Sequence, residues 1–139
     1  MENKIQKFIP LLGRIFLSAI FIKAGIDKIL DPAGTEATMT GKGIPFAGIL
    51  LIPTIIVLVA GGLSVLLGFK ARYGALALIG FLIPATLIFH TDFSNRIQEI
   101  MFFKNLGLIG GLLMIAAYGA GPLSIDERNT THNSHPRLG

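Results

Sequence analysis

The chain has 139 residues, a net charge of +4, and neither cysteine nor tryptophan. Hydrophobic residues make up 52% and charged residues 14%, with a mean hydropathy of +0.69, which excludes a soluble globular domain. The missing cysteine excludes disulfides, thiolate catalysis, Cys-ligated zinc and iron–sulfur clusters. The positive charge has no basic face with interleaved aromatics, so it is read as membrane orientation and not as nucleic-acid binding.

Four stretches reach the length and apolarity of membrane helices, at 8–30, 46–69, 73–89 and 102–120. Lys4 and Lys7 ahead of the first imitate a signal peptide, but Lys23 and Asp27 interrupt the run and no small-x-small site follows, so a retained helix is expected. Its stretch "GRIFLSAIFIKAGIDKIL" at 13–30 carries Arg14, Lys23, Asp27 and Lys28, with Asp31 just beyond. Such charges cost about 2.5–3.5 kcal/mol each at a bilayer centre on insertion scales. At helical spacing Arg14, Ser18, Phe21, Gly25 and Lys28 fall on one stripe, while Lys23 and Asp27 fall opposite and pair four residues apart. The stripe either turns into the bundle or snorkels its two cations to the interfaces.

"DPAG" at 31–34 ends the first helix, and 31–45 is read as a loop. Pro53 and Pro84 lie inside the second and third spans, where they either shape the bundle or open a wall onto a cavity. Gly61 and Gly62 in the second span, and the Gly107–Gly111 pair in the fourth, suit close helix packing within the bundle or an oligomer contact. Between His90 and Lys104, Phe93, Ile97, Ile100 and Met101 recur at helical spacing and predict a short interfacial helix between the third and fourth spans.

The predicted fold is therefore all-α, an integral membrane four-helix bundle over 1–123, followed at 124–139 by a polar tail without apolar period that reads as disordered. His132 and His135 in that tail are not read as a metal site. An even number of spans places both termini on one side, with Lys4, Lys7, Lys70, Arg72, Arg128 and Arg137, against Lys42 and Arg96 on the other. The positive-inside rule puts the termini in the cytoplasm. Asp27, Lys28, Asp31, His90, Asp92, Lys104 and Asn105 then share the outer level and form a candidate polar cluster. His90, with an ordinary pKa near 6.5, suits proton exchange. It serves equally as an interfacial histidine bonded to a loop carbonyl.

The motifs "LLGRIFLSAIFIKAGIDKILDP" at 11–32, "FHTDF" at 89–93 and "FFKNLGLIGGLLMIAAYGAGPLSID" at 102–126 resemble the DoxX family of small four-span bacterial membrane proteins. Arg14, Gly25, Lys28, His90, Lys104 and Asn105 match the shared motifs. The resemblance implies an integral protein of a bacterial inner (plasma) or cyanobacterial membrane. Some members are linked to quinone-dependent oxidation, as with the membrane subunit of thiosulfate:quinone oxidoreductase; others associate with redox-stress enzymes.

Two principal expectations follow. In one, the chain is the membrane subunit of a quinone-linked oxidoreductase. Arg14 and Lys28 would stabilise a quinol or semiquinone anion, with His90 as proton donor or acceptor; Arg14, Ser18, Lys104 and Asn105 would bind the quinone. Electrons would come from a redox partner protein or a soluble donor, since nothing indicates a metal, haem, flavin or nicotinamide site. In the other, it is a non-catalytic scaffold or accessory subunit that docks a partner protein, with homo-oligomerisation open. A small transporter is a third, weaker reading, because no inverted repeat is evident.

Overall fold

A computed structural model describes residues 4–133, with side chains described through 129; the side chains of His132 and His135 lie outside the described residues. The element order is α1 (Lys4–Leu30), α2 (Pro32–Gly41), α3 (Ala47–Leu67), α4 (Ala71–Phe89), α5 (Arg96–Tyr118) and α6 (Ile125–Asn133). No strand occurs among the described residues. Helices α1, α3, α4 and α5 are long and apolar enough to cross a bilayer. They pack in chain order, α1 on α3, α3 on α4 and α4 on α5.

The core is apolar and narrow. Phe21 from α1, Leu58 and Val65 from α3, Ala75, Leu78 and Leu82 from α4, and Leu112 from α5 form one buried cluster. Large apolar side chains such as Phe16, Ile52, Leu87 and Met114 point outward, as expected where lipid and not water is the surrounding solvent. The stripe read from the first helix is the buried face of α1: Arg14, Ser18, Phe21 and Gly25 are its four buried residues. Lys28, the last of the stripe, is half-buried.

Glycine sets the helix spacing at two of these contacts. A Cβ on Gly25 would come within 2.5 Å of Val59, and one on Gly62 within 2.7 Å of Ile22, so α1 and α3 approach more closely than side chains allow. The fourth-span pair behaves differently. A Cβ on Gly107 or Gly110 would meet nothing within 4 Å, and one on Gly111 would touch only Leu17, at 3.5 Å. Packing inside the bundle therefore does not account for Gly107. Pro53 and Pro84 are both exposed on the outer faces of continuous helices.

Three segments depart from the sequence reading. The 31–45 stretch contains α2, because Asp31 does more than stop α1: its carboxylate accepts from the Gly34 amide at 3.0 Å, and Pro32 opens the new helix. Met39 of α2 then packs with Ala47, Leu51 and Phe89. There is no separate interfacial helix between the third and fourth spans. Asn95 caps α5 by accepting from the Ile97 amide at 3.0 Å. With no Gly or Pro between Arg96 and Gly107, nothing interrupts the backbone ladder. In the tail, Ser124 Oγ accepts from the Glu127 amide at 3.1 Å, half of a capping box, and starts α6.

Replacing Gly25 by Val should separate α1 from α3 and destabilise the bundle by about 1–3 kcal/mol, the range for overpacking a filled core. The same change at Gly107 should leave stability within about 0.5 kcal/mol, as for substitutions that touch no packed neighbour. Thermal unfolding of the two variants in one mild detergent checks the contrast.

Candidate functional site

The polar residues of the bundle gather at its two ends. At the end that carries the termini, Arg14 is only 2% exposed. Its Nη1 donates to the Leu66 carbonyl at 3.0 Å and more weakly to Val65 at 3.5 Å. Nη2 donates to the Leu123 carbonyl at 2.8 Å and to Pro122 at 3.5 Å. Carbonyls at the end of a helix lack intrahelical donors, so Arg14 supplies one to Leu66, while Val65 also accepts from the Gly68 amide at 3.3 Å. Its charge also interacts favourably with Asp126.

Asp126 fixes the neighbouring turn. Its carboxylate accepts from the amides of Lys70 at 2.7 Å and Ala71 at 3.0 Å, and its own amide donates to the Gly68 carbonyl at 2.8 Å. A carboxylate at the N-terminus of α4 meets the positive end of the helix dipole. Lys70 (φ 48°) and Leu123 (φ 57°) both adopt the left-handed backbone that non-glycine residues avoid, at a cost of order 1–3 kcal/mol each. Each is held there by a bond described above, Lys70 through its amide and Leu123 through its carbonyl.

At the other end lie His90, Lys104 and Asn105. Asn105 is 7% exposed, and its Nδ2 donates to Thr86 Oγ1 at 2.9 Å, joining α5 to α4. One turn further out on α4 is His90, whose Nδ1 is buried and has no hydrogen-bond partner. One turn further out on α5 is Met101, to whose sulfur the Lys104 ammonium donates at 3.3 Å. Burial lowers the His90 pKa below the usual histidine value, and the positive charges of Lys104 and Lys42 lower it further. The imidazole is thus held neutral at physiological pH.

The structure divides the outer cluster expected from the sequence. Asp27 pairs with Lys23 at 2.7 Å on the exposed face of α1. Asp31 caps α2, and Asp92 accepts from the backbone and hydroxyl of Ser94. Lys28 stands half-buried in the last turn of α1. Ser18 donates to the Ile15 carbonyl within α1 at 3.2 Å. Arg14 and His90 are not brought together. Arg14 is level with the start of α4 and His90 follows its end, so the 19 residues of α4, about 28 Å of helix, separate them. Between them lies the apolar core, not a polar interior. Thr86 and Asp126 were missed in the sequence. The S-x-x-E spacing of Ser124 and Glu127 was the available signal for the segment that holds Asp126; Thr86 offered none.

Among the surface grooves of the described residues, one of about 350 Å³ and one of about 470 Å³ lie at the end where α4 begins. The smaller runs between α3 and α4 past Ser64 and Gly74. The larger lies among the start of α4, the end of α5 and α6.

An all-helical chain with four spanning helices, an apolar core and polar groups confined to its ends is a small polytopic membrane protein. Residues 9–91 match the DoxX family, and the chain belongs to that family. It is 38% identical to inner membrane protein YqjF of Escherichia coli over 90% of this chain and 95% of the relative. It is 29% identical to inner membrane protein YphA of the same organism, over 85% and 88%. A Surfeit locus protein 4 homolog of Drosophila melanogaster is 30% identical over 91% of this chain but only 43% of that longer protein. No solved structure matches the chain.

Two outcomes are expected here. Arg14→Met should leave the Leu66 and Leu123 carbonyls unsatisfied and lower stability by about 3 kcal/mol, since hydrogen bonds to charged groups contribute about 1.5–3 kcal/mol each. Arg14→Lys should recover part of this, as read by unfolding in detergent. In an NMR titration, His90 should be half-protonated below the ordinary value of about 6.5. Lys104→Gln should move that midpoint upward, because removing a neighbouring positive charge favours the imidazolium.

Proposed function

We propose that this protein is a non-catalytic membrane subunit, a four-span scaffold whose outer end docks a partner protein. The observation that carries this reading is the commitment of Arg14, the one charged side chain that is fully buried among the described residues, to backbone carbonyls of α3 and the segment after α5. That guanidinium holds the bundle together at the end opposite His90. Asn105 and Asp126 are likewise engaged in joining elements. What remains available at the outer end is a half-buried histidine between Lys42 and Lys104, flanked by the α2 helix.

A second reading keeps the quinone link. The neutral His90 with its unpartnered Nδ1, close to Lys104, is suited to a quinone headgroup that accepts a hydrogen bond and exchanges a proton. In that reading Arg14 and Ser18 have no part, and the electron donor is a separate protein.

Quinone content separates the two. The protein purified in mild detergent should carry no more quinone per chain than an unrelated four-span protein. A photo-crosslinker at position 42, in native membranes, should give one discrete protein adduct. Stoichiometric quinone, lost in His90→Ala but kept in Arg14→Lys, would replace the scaffold reading with the second. The orientation proposed from the positive-inside rule is open to direct mapping, because the chain has no cysteine. Ser94→Cys should react with an impermeant thiol reagent from outside intact cells, and Asn129→Cys should not.

A further inference from the structure

Three elements bring nitrogen groups together at the end opposite Arg14. Met39 of α2 and Phe89 of α4 belong to one apolar cluster, so the end of α2 lies beside the end of α4. Lys42 follows there, its amide donating to the Met39 carbonyl at 3.1 Å. His90 comes directly after Phe89. The bond from Asn105 to Thr86 brings the preceding residue, Lys104 of α5, to the same end. The charges of both lysines reach the imidazole.

No carboxylate of the chain meets these groups. Lys42 and Lys104 are exposed, and neither forms an ion pair among the described residues. The Lys104 ammonium donates to the Met101 sulfur at 3.3 Å, a weak acceptor that leaves its other N–H groups unused. The acids at this end are turned elsewhere. Asp27 pairs with Lys23, Asp31 caps α2, and Asp92 accepts from Ser94. Glu36 lies against the first turn of α3, where a Cβ on Gly48 would come within 3.2 Å of its carboxylate. Glu99, five residues before Lys104, lies about 140° around α5 from it. His90 Nδ1 is buried without a partner, while Nε2 reaches the surface. An acceptor placed there would draw the imidazole proton to Nε2.

We infer that this outer site receives a carboxylate of the docked partner, an acidic side chain set between the Lys42 and Lys104 ammonium groups and accepting from His90 Nε2. The inference rests on the scaffold reading and names the chemistry by which its partner is held. A basic partner surface would meet two like charges. An apolar one would strip water from both ammonium groups without return. A carboxylate supplies the acceptor that the chain's own acids withhold. Because both lysines are exposed, the pairs govern approach and partner choice more than tightness, and docking weakens as salt rises.

The test places a photo-crosslinker at position 40, in place of the exposed Thr40 two residues before Lys42, in the full-length chain in native membranes. One protein adduct should form, with a yield that falls as salt is raised. Carbodiimide treatment should join Lys42 or Lys104 by an amide bond to an Asp or Glu of that same protein, read by mass spectrometry of the linked peptides. Lys42→Glu combined with Lys104→Glu should lower the photo-adduct about tenfold, since like charges then oppose each other. Lys42→Arg combined with Lys104→Arg should keep it. So should Arg96→Gln, which removes one positive charge at the same end. Equal amounts in the membrane and monodisperse elution in detergent establish that each variant is folded. A protein adduct indifferent to the double reversal and to salt would overturn this inference and leave the scaffold reading standing. Absence of any protein adduct would overturn both. An adduct of phospholipid mass, lost on the double reversal, would overturn the inference by assigning the three donors to a headgroup phosphate.

Discussion

A buried guanidinium holds three distant parts of this chain in one place. Arg14 reaches from α1 to the last turn of α3 and to the segment after α5, donating to Leu66 and Leu123. In a bilayer, a charge without partners and a helix terminus without donors are each costly. Arg14 Nη1 and Nη2 meet such carbonyls here, while its Nε is buried without a partner. The same small volume contains the left-handed residues Lys70 and Leu123 and the Asp126 cap. Two of the three left-handed non-glycine residues among the described residues thus stand beside the buried charge, with Phe46 at the opposite end, and the interior between Phe21 and Leu112 packs as hydrocarbon.

That partition explains why the two ends of the bundle differ in character. At the end with the termini, polar side chains bond mostly to backbone and fix positions. At the other end, Asn105 and Thr86 bond side chain to side chain, and His90 is left with a buried nitrogen unsatisfied. A buried donor or acceptor without a partner costs about 1–3 kcal/mol, and each end carries one, Arg14 Nε at the first and His90 Nδ1 at the second. The family match covers residues 9–91, which include Arg14 and His90 but not Leu123, Asp126, Lys104 or Asn105.

Much of this architecture could be read from residue types alone. Hydropathy located the four spans, and a helical wheel located the buried face of α1, because one inward stripe in a chain of lipid-facing residues leaves a strong periodic signal. Lys23 and Asp27 paired as their spacing requires. Where the reading failed, one residue had two meanings. Asp31-Pro32 ends one helix and starts the next, and the sequence signals for the two are the same. The apolar spacing of 93–101 belongs to the opening turns of α5, since amphipathic turns look alike whether or not the helix continues. The sequence put Arg14 within reach of its own interface but left open whether it turned inward or snorkelled, because the stripe names a face and not its partners. The carbonyls of Leu66 and Leu123 supply those partners and fix it at the end opposite His90. Thr86 was invisible for a similar reason, as its role depends on which residue of α5 lies across from it.

The span of sequence that Arg14 bridges has a consequence in time. Its two short bonds join residues 52 and 109 positions apart. As the chain emerges from the ribosome and enters the membrane from its N-terminus, α1 arrives first and carries its arginine without partners. The Leu66 carbonyl becomes available only after α3, and the Leu123 carbonyl only when the last spanning helix has been made. Contacts of such separation form late. Through most of its synthesis, then, the first helix has reason to stay near the membrane surface where water can serve the guanidinium. Packing of the bundle around Arg14 therefore has to wait for the segment after α5.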